Sequence, residues 1–477
     1  MKSITIALAA ACALPLAAGA QQRAAAPVSL SLQDAIGIAV RESEALRIAR
    51  AASERAEGQQ YQARSQRLPQ LNGTASYQRA VQSQFAEISK RVPSNDTSSS
   101  SGSGNSFANS PLARVFASPN TIVLGLTASQ TLYTGGRVSA GIAASDAGRR
   151  AADLSVKSAH AQLSYDVATA YYDAVVAQKL AAIADSSLAQ TERALRQTQL
   201  AHDVGNTADY DLLRARVQRD NARPTVVSAH AQQDIALLHL RQMLNLPPNQ
   251  PLTLTTGLDS ATVTPMPEGM AWRPDLVLPN PDLKPTERAV VQEAAENVRV
   301  IEAQLQTVRA ARLPAVSLSS TYQRFGYPPS GHLFEDQWRL YFPNWTVSLG
   351  VSMPLLTGGR QHGDQMVAEA NLAEARARYD QVREATDLDT RVALAQLQEA
   401  ESAFSASTGT DEQAAKAYSI AEVRFSEGVA SQLELTQARV DLETARARRI
   451  QASRDLALAR YRWTLLVVLP LSTTAQR

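Results

Sequence analysis

The sequence predicts a mainly helical chain with a small membrane β part, made of one unit used twice: a helix, a β-hairpin and a long helical hairpin. Three observations carry that prediction. Short motifs recur in the same order in the two halves, long alanine-rich stretches run without proline, and the segments between them alternate apolar and polar residues.

The recurrence fixes the plan. Arg67-Leu68-Pro69 and Tyr77-Gln78-Arg79 return 245 residues later as Arg312-Leu313-Pro314 and Tyr322-Gln323-Arg324. Further on, Thr134-Gly135-Gly136-Arg137 returns as Thr357-Gly358-Gly359-Arg360, and Gly205 with Ala215-Arg216-Val217 returns as Gly428 with Ala438-Arg439-Val440, now 223 residues away. The first half therefore holds 22 extra residues, the Ser/Asn/Gly-rich stretch near 94–110. A repeat this long indicates a doubled unit rather than a solenoid. Residues 247–285 hold nine of the 22 prolines and can be neither helix nor central strand, so they read as the linker between a first repeat at 21–246 and a second at 286–467. Residues 468–477 read as a tail.

Between Arg137 and Gly205, and again between Arg360 and Gly428, strong helix formers dominate. In the second stretch Leu372, Ala375, Tyr379, Val382, Ala385, Leu388, Val392 and Ala395 make an apolar stripe. At 1.5 Å per residue such a helix is roughly 100 Å long. Each glycine is followed by a short turn, Asn206-Thr207 or Val429-Ala430-Ser431, and a new helix, the pattern of a C-cap and then an N-cap. The returning helices run to about Leu246 and Leu466, with Pro224 expected to kink or divide the first.

Strands are expected at about 69–80 and 120–133, and at about 314–325 and 344–356. In the last, Trp345, Val347, Leu349, Val351, Met353 and Leu355 share a face opposite Asn344, Thr346, Ser348, Gly350 and Ser352. Each segment has about the length of a membrane β-strand. Four strands leave two open edges, which lipid cannot satisfy, so the chain must oligomerise. Eight strands are filled by their own side chains whereas twelve begin to leave a passage, so a trimer is the smallest assembly with a useful pore. Residues 81–119 and 325–343 would then be the extracellular loops.

Residues 1–20, with Lys2, an apolar run from Ile4 to Leu16 and Ala18-Gly19-Ala20, read as a cleaved secretory signal, giving a mature start at Gln21. The only cysteine, Cys12, lies inside that run, which leaves no disulfide or thiol chemistry and no lipid attachment in the mature chain. Lys+Arg number 47 against Asp+Glu 45, with no basic excess to attract a nucleic acid. Beyond the signal no apolar run is long enough for a transmembrane helix, so any membrane span must be β. The six histidines do not pair at metal-ligand spacing, and no phosphate loop or nucleophile elbow occurs. No enzyme, cofactor or metal site is expected, and most helical Asp and Glu should be a solvated face.

In combination and order, Ala63-Arg64-Ser65-Gln66-Arg67-Leu68-Pro69 and Ala310-Ala311-Arg312-Leu313-Pro314 entering strands, Thr-Gly-Gly-Arg leaving them and the two glycine turns resemble the TolC-like outer membrane efflux protein family. The resemblance covers nearly the whole mature chain. It implies a homotrimer with a twelve-stranded β-barrel continued by a twelve-helix α-barrel tunnel, in the outer membrane with a periplasmic extension. It implies docking by the tips to a periplasmic adaptor and an inner-membrane transporter, as the exit duct of a tripartite efflux or type I secretion system. The family's tip motif falls on Gly205, Asp211, Ala215 and Arg216, and on Gly428, Glu434, Ala438 and Arg439. Some members have an arginine shortly after the second glycine, where this chain has Ala430. An adaptor or a helical structural protein is the alternative, but an adaptor has one helical hairpin within a split β-rich domain, and this chain has two hairpins and two strand pairs.

Asp211 and Glu434 each stand six residues after their glycine, so three chains would carry six carboxylates near the narrow end. The same residues could simply stabilise a helix N-terminus. Arg214 follows Asp211 by three residues where Gln437 follows Glu434, so Glu434 is expected to be the less compensated of the two. Such rings favour cations.

Overall fold

The computed structural model describes residues 28–81, 120–205, 207–258, 284–327 and 342–472. In chain order the elements are β1 (Val28–Leu30), α1 (Leu32–Glu42), α2 (Glu44–Ser65), β2 (Gln70–Arg79), β3 (Asn120–Tyr133), α3 (Arg137–Asp203), α4 (Asp209–Met243) and β4 (Leu252–Leu254). After a 3₁₀ turn at Pro285–Glu287 come α5 (Ala289–Ala310), β5 (Ala315–Gly326), β6 (Phe342–Ser352), α6 (Arg360–Ser426) and α7 (Gln432–Leu465). The described residues are mainly helical. Helices α3 and α6 are both 67 residues long, and α2 and α5 both 22. The signal segment 1–20, the Ser/Asn/Gly-rich stretch and nearly all of both expected loops lie outside the described residues.

Contacts divide the chain into two compact units, each drawing on both repeats. The one holding residues 44–162, 278–394 and 464–477 contains a four-stranded antiparallel sheet in the order β2-β3-β5-β6. Register decides its faces. Tyr77 lies opposite Ile122, Leu126 opposite Tyr322, and Tyr322 opposite Trp345, so one face runs apolar across all four strands. Thr127 opposite Thr321 and Ser319 opposite Ser348 belong to the other face, which is mostly Ser, Thr, Asn and Gln. Ser320 interrupts the apolar face for a reason: its Oγ accepts the Trp345 indole N–H at 2.9 Å, the partner that group needs away from water. The apolar side chains are exposed, Trp345 at 73% and Leu349 at 65%.

Strand β6 stops at Ser352 rather than continuing to 356, because Pro354 has no N–H to give a ladder. At its exit from β3, Gly135 adopts φ +62°, and an added Cβ would stand 2.5 Å from Leu313 Cβ and 3.0 Å from the Ala310 carbonyl. Glycine is required there for both conformation and space.

Deep in this unit Arg288, the residue before α5, is fully buried beside Asp389 of α6. Its Nη1 donates to Asp389 Oδ2 at 2.8 Å and its Nη2 to the Leu469 carbonyl at 3.2 Å; Ser472 Oγ donates to Asp389 Oδ1 at 2.6 Å. The apolar stripe read on α6 holds from Leu372 to Ala385, its members there half-buried, and shifts at this ion pair. Leu388 is 53% exposed, whereas Thr386, Asp389 and Ala393 face inward.

The other unit holds residues 1–43, 163–277 and 395–463. Here β4 pairs parallel with β1, so the proline-rich segment contributes a short strand, at an edge where proline is tolerated. Tyr171, fully buried on α3, donates its hydroxyl to the Leu30 carbonyl and accepts from the Thr256 N–H, both at 2.9 Å, joining strand end to helix. Helix α1 begins with a capping box between Ser31 and Asp34 and buries Leu32, Ala35, Ile36 and Ala39. Helix α4 continues through Pro224, so that of the two expected effects, a kink or a division, the division does not occur. One lost i→i−4 bond does not outweigh the packing of so long a helix.

Candidate functional site

The helical turns carry the residues picked out by the repeat. Gly205 and Gly428 both have positive φ, +80° and +73°, where a Cβ would be disfavoured. At the second turn Val429 N and Ala430 N both donate to the Arg424 carbonyl, at 2.9 and 3.0 Å, satisfying the end of α6. Ser431 Oγ then accepts the Glu434 N–H at 3.3 Å. The first turn has no such cap: the residue before α4 is Ala208, which makes no side-chain bond. Instead His202 in the last turn of α3 reaches across to Asp209, Nε2 to Oδ1 at 2.6 Å, with Asp203 at 3.6 Å from its Nδ1. The hydrogen bond that Asp209 accepts, with the nearby Asp203 carboxylate adding to it, holds the imidazole above its ordinary pKa.

The expected asymmetry of the two carboxylates is reversed. Glu434 is bridged by Arg424 at 2.5 Å, from the helix before the turn, which a search for partners along its own helix cannot find. Asp211 forms no ion pair with Arg214 and stands in the first turn of α4 among the described residues. The two halves also use their Ala-Arg pairs differently. Ala215 is buried and Arg216 exposed, whereas Ala438 is half-buried and Arg439 is held inside, donating to Ser187 Oγ and Glu443 Oε1, both at 2.7 Å.

Exposed apolar residues crowd both turns: Leu200, Val204, Tyr210 and Leu213 at the first, Val423, Val429 and Leu433 at the second. Sequence reasoning passed over them, although Leu200 and Val423, and Tyr210 and Leu433, are partners under the 223-residue repeat. Among the described residues no cluster of His, Cys, Asp and Glu could hold a metal ion, and no helix is long and apolar enough to cross a membrane.

The model of the outer membrane efflux protein family matches residues 35–246 and 286–466. The chain belongs to that family. As an outer membrane efflux protein it is a transport channel of the outer membrane and not an enzyme. Solved structures share the fold. The outer membrane protein VceC from Vibrio cholerae is 18% identical with a TM-score of 0.68, over 91% of this chain and 95% of that one. The CmeC outer membrane channel of Campylobacter jejuni is 17% identical with a TM-score of 0.72, over 93% and 87%. The MtrE outer membrane channel of Neisseria gonorrhoeae, solved in an open state, is 21% identical with a TM-score of 0.71, over 92% and 89%. No curated protein matches this efflux protein's sequence significantly.

Proposed function

We propose that three copies close a twelve-stranded barrel, continued by a tunnel of twelve long helices, and that this trimer is the passive exit duct of a tripartite efflux or type I secretion system. Its tips would dock on a periplasmic adaptor and an inner-membrane transporter through the turns at Gly205 and Gly428, using Asp211, Ala215, Arg216, Glu434, Ala438 and Arg439. The exposed apolar residues at both turns favour contact with neighbours there.

One observation carries the closure: the strand registers obey the sequence repeat. Leu71 pairs with Ala128 in the first hairpin, and the residues 245 and 223 positions on, Val316 and Val351, pair in the second. The β3–β5 junction then supplies the template for the missing one. Gly125 opposite Gln323 translates to Ser348 opposite Gln78 of the next chain, and Leu126 opposite Tyr322 to Leu349 opposite Tyr77. Edges β2 and β6 would thus pair as β3 and β5 do, leaving no unpaired N–H or C=O in lipid. The glycine turns support the same seam. Gly135 is roofed by Leu313, whereas a Cβ on Gly358 meets nothing within 4 Å and Leu68 is 62% exposed, so Leu68 of the next chain fits over Gly358.

Native mass spectrometry of the detergent-extracted protein, with planar-bilayer recording of the same sample, tests the proposal. It requires a trimer that conducts. A stable monomer, or a trimer without conductance, contradicts it.

A further inference from the structure

Strands β2, β3, β5 and β6 contain no Asp or Glu, and their only charged residues are Arg79 and Arg324. Both end a Tyr-Gln-Arg motif, and both occupy the apolar face near the strand ends that lead away from the helices. A cation on such a face calls for an anion, and Arg324 Nε is buried without a hydrogen-bond partner among the described residues. Two residues nearer the helices on the same face stand Tyr77 and Tyr322, the latter opposite Trp345, as an aromatic girdle does below a headgroup layer.

Next to Arg324 the apolar face is hollow. A shallow groove of about 370 Å³ is lined by Gly73, Ala75, Leu124, Leu126, Tyr322 and Arg324. It exists because Gly73 stands where the second half has Leu318. We propose that this groove and its arginine bind a phosphorylated lipid of the outer leaflet, its phosphate on the Arg324 guanidinium and an acyl chain along the groove. Arg79 presents a second cation of the same kind. Resting on the trimeric-barrel reading, the repeat register puts Arg79 and Arg324 at equivalent positions around the barrel, so six arginines share one depth. Arginine suits the task because its planar fork meets phosphate oxygens bidentately.

The test is native mass spectrometry of the purified trimer titrated with diphosphoryl lipid A, with phosphatidylcholine and inorganic phosphate as separate arms. Wild type should carry lipid A adducts in preference to phosphatidylcholine, and inorganic phosphate at equal concentration should not displace them. Affinity should fall about fivefold in Arg79→Gln or Arg324→Gln and about thirtyfold in the double variant, at roughly one surface-cation increment each. Arg79→Lys with Arg324→Lys should retain most of the binding. Gly73→Leu copies the second half's residue, keeps both charges, and should still weaken binding by filling the groove. A wild-type trimer without preference for lipid A, or a double glutamine variant that binds as wild type does, overturns the lipid site and leaves the barrel standing. Displacement by inorganic phosphate would reduce the site to a free-anion site and overturn the lipid assignment. Failure of wild type to form a trimer removes the barrel reading and the site with it.

Discussion

Replacing Arg288 by methionine should destabilise the sheet-bearing unit far more than any exposed substitution. Arg288 and Asp389 have side-chain exposures of 0% and 1%, and each makes bonds beyond the pair, to the Leu469 carbonyl and from Ser472. Removing one partner leaves a buried charge without its counter-ion, which costs about 3–5 kcal/mol. At about 2–4 °C per kcal/mol for a cooperative unit of this size, the thermal midpoint should fall by about 6–20 °C. The assay is circular dichroism of the detergent-extracted protein at a fixed scan rate, since unfolding of such assemblies is commonly irreversible. Asp389→Leu alone should show a loss of similar size. The double variant, which removes both charges and keeps the volume, should lose much less than the sum. An Arg288→Met midpoint within about 2 °C of wild type, or strictly additive losses, would refute the reasoning.

Gly135→Ala and Gly358→Ala should cut the thermal stability of the extracted protein by similar amounts. Both pay about 1–2 kcal/mol for a left-handed residue, Gly135 has Leu313 and a carbonyl in the way within one chain, and the proposed seam sets Leu68 of the next chain over Gly358 in the same manner; a Gly358→Ala trimer clearly more stable than the Gly135→Ala one would count against that seam. In single-channel recording, Asp211→Asn should lower cation preference more than Glu434→Gln, because Arg424 already offsets Glu434; the reverse order would return the tip to the sequence-only expectation. The His202 contact should be pH-dependent. A raised folded pKa means its stabilisation is complete below about pH 6.5 and fades as pH rises through the elevated value, so hydrogen exchange around Gly205, corrected for intrinsic rates, should speed up between pH 6 and pH 8.5. Wild type and His202→Gln exchanging alike across that range would count against it.

Much of the fold is legible in the sequence because its signals are long and redundant. Period-two alternation identifies β6 from Trp345 to Ser352, and proline-free stretches identify α3 and α6. Glycine turns are legible because a positive φ strongly favours that residue. Side-chain partners are another matter. Asp389 looks like one more acid on a solvated helix face, and only the chain's return through Arg288 and Ser472 makes it internal. Glu434 meets Arg424 across a turn, ten residues away, a spacing that no helical rule covers. Arg439 and Arg216 are equivalent in the repeat yet differ in surroundings, because Ser187 and Glu443 receive only the former. Repetition preserves backbone geometry more faithfully than it preserves side-chain roles.

The central claim is that edge β6 of one chain pairs with edge β2 of the next in the register of β3 and β5. Disulfide trapping of Gln78→Cys with Ser348→Cys, in a Cys12→Ser background, reads that register directly. Opposed residues in an antiparallel pair have Cα atoms about 4.5–5.5 Å apart, within disulfide range, whereas the same two positions of one chain sit on opposite edges of the sheet. The account predicts a covalent trimer on a non-reducing gel from membranes, and little from the Asn72→Cys, Ser348→Cys control, which is six residues out of register. Equal trapping in the control, or no covalent oligomer from the in-register pair, would contradict it.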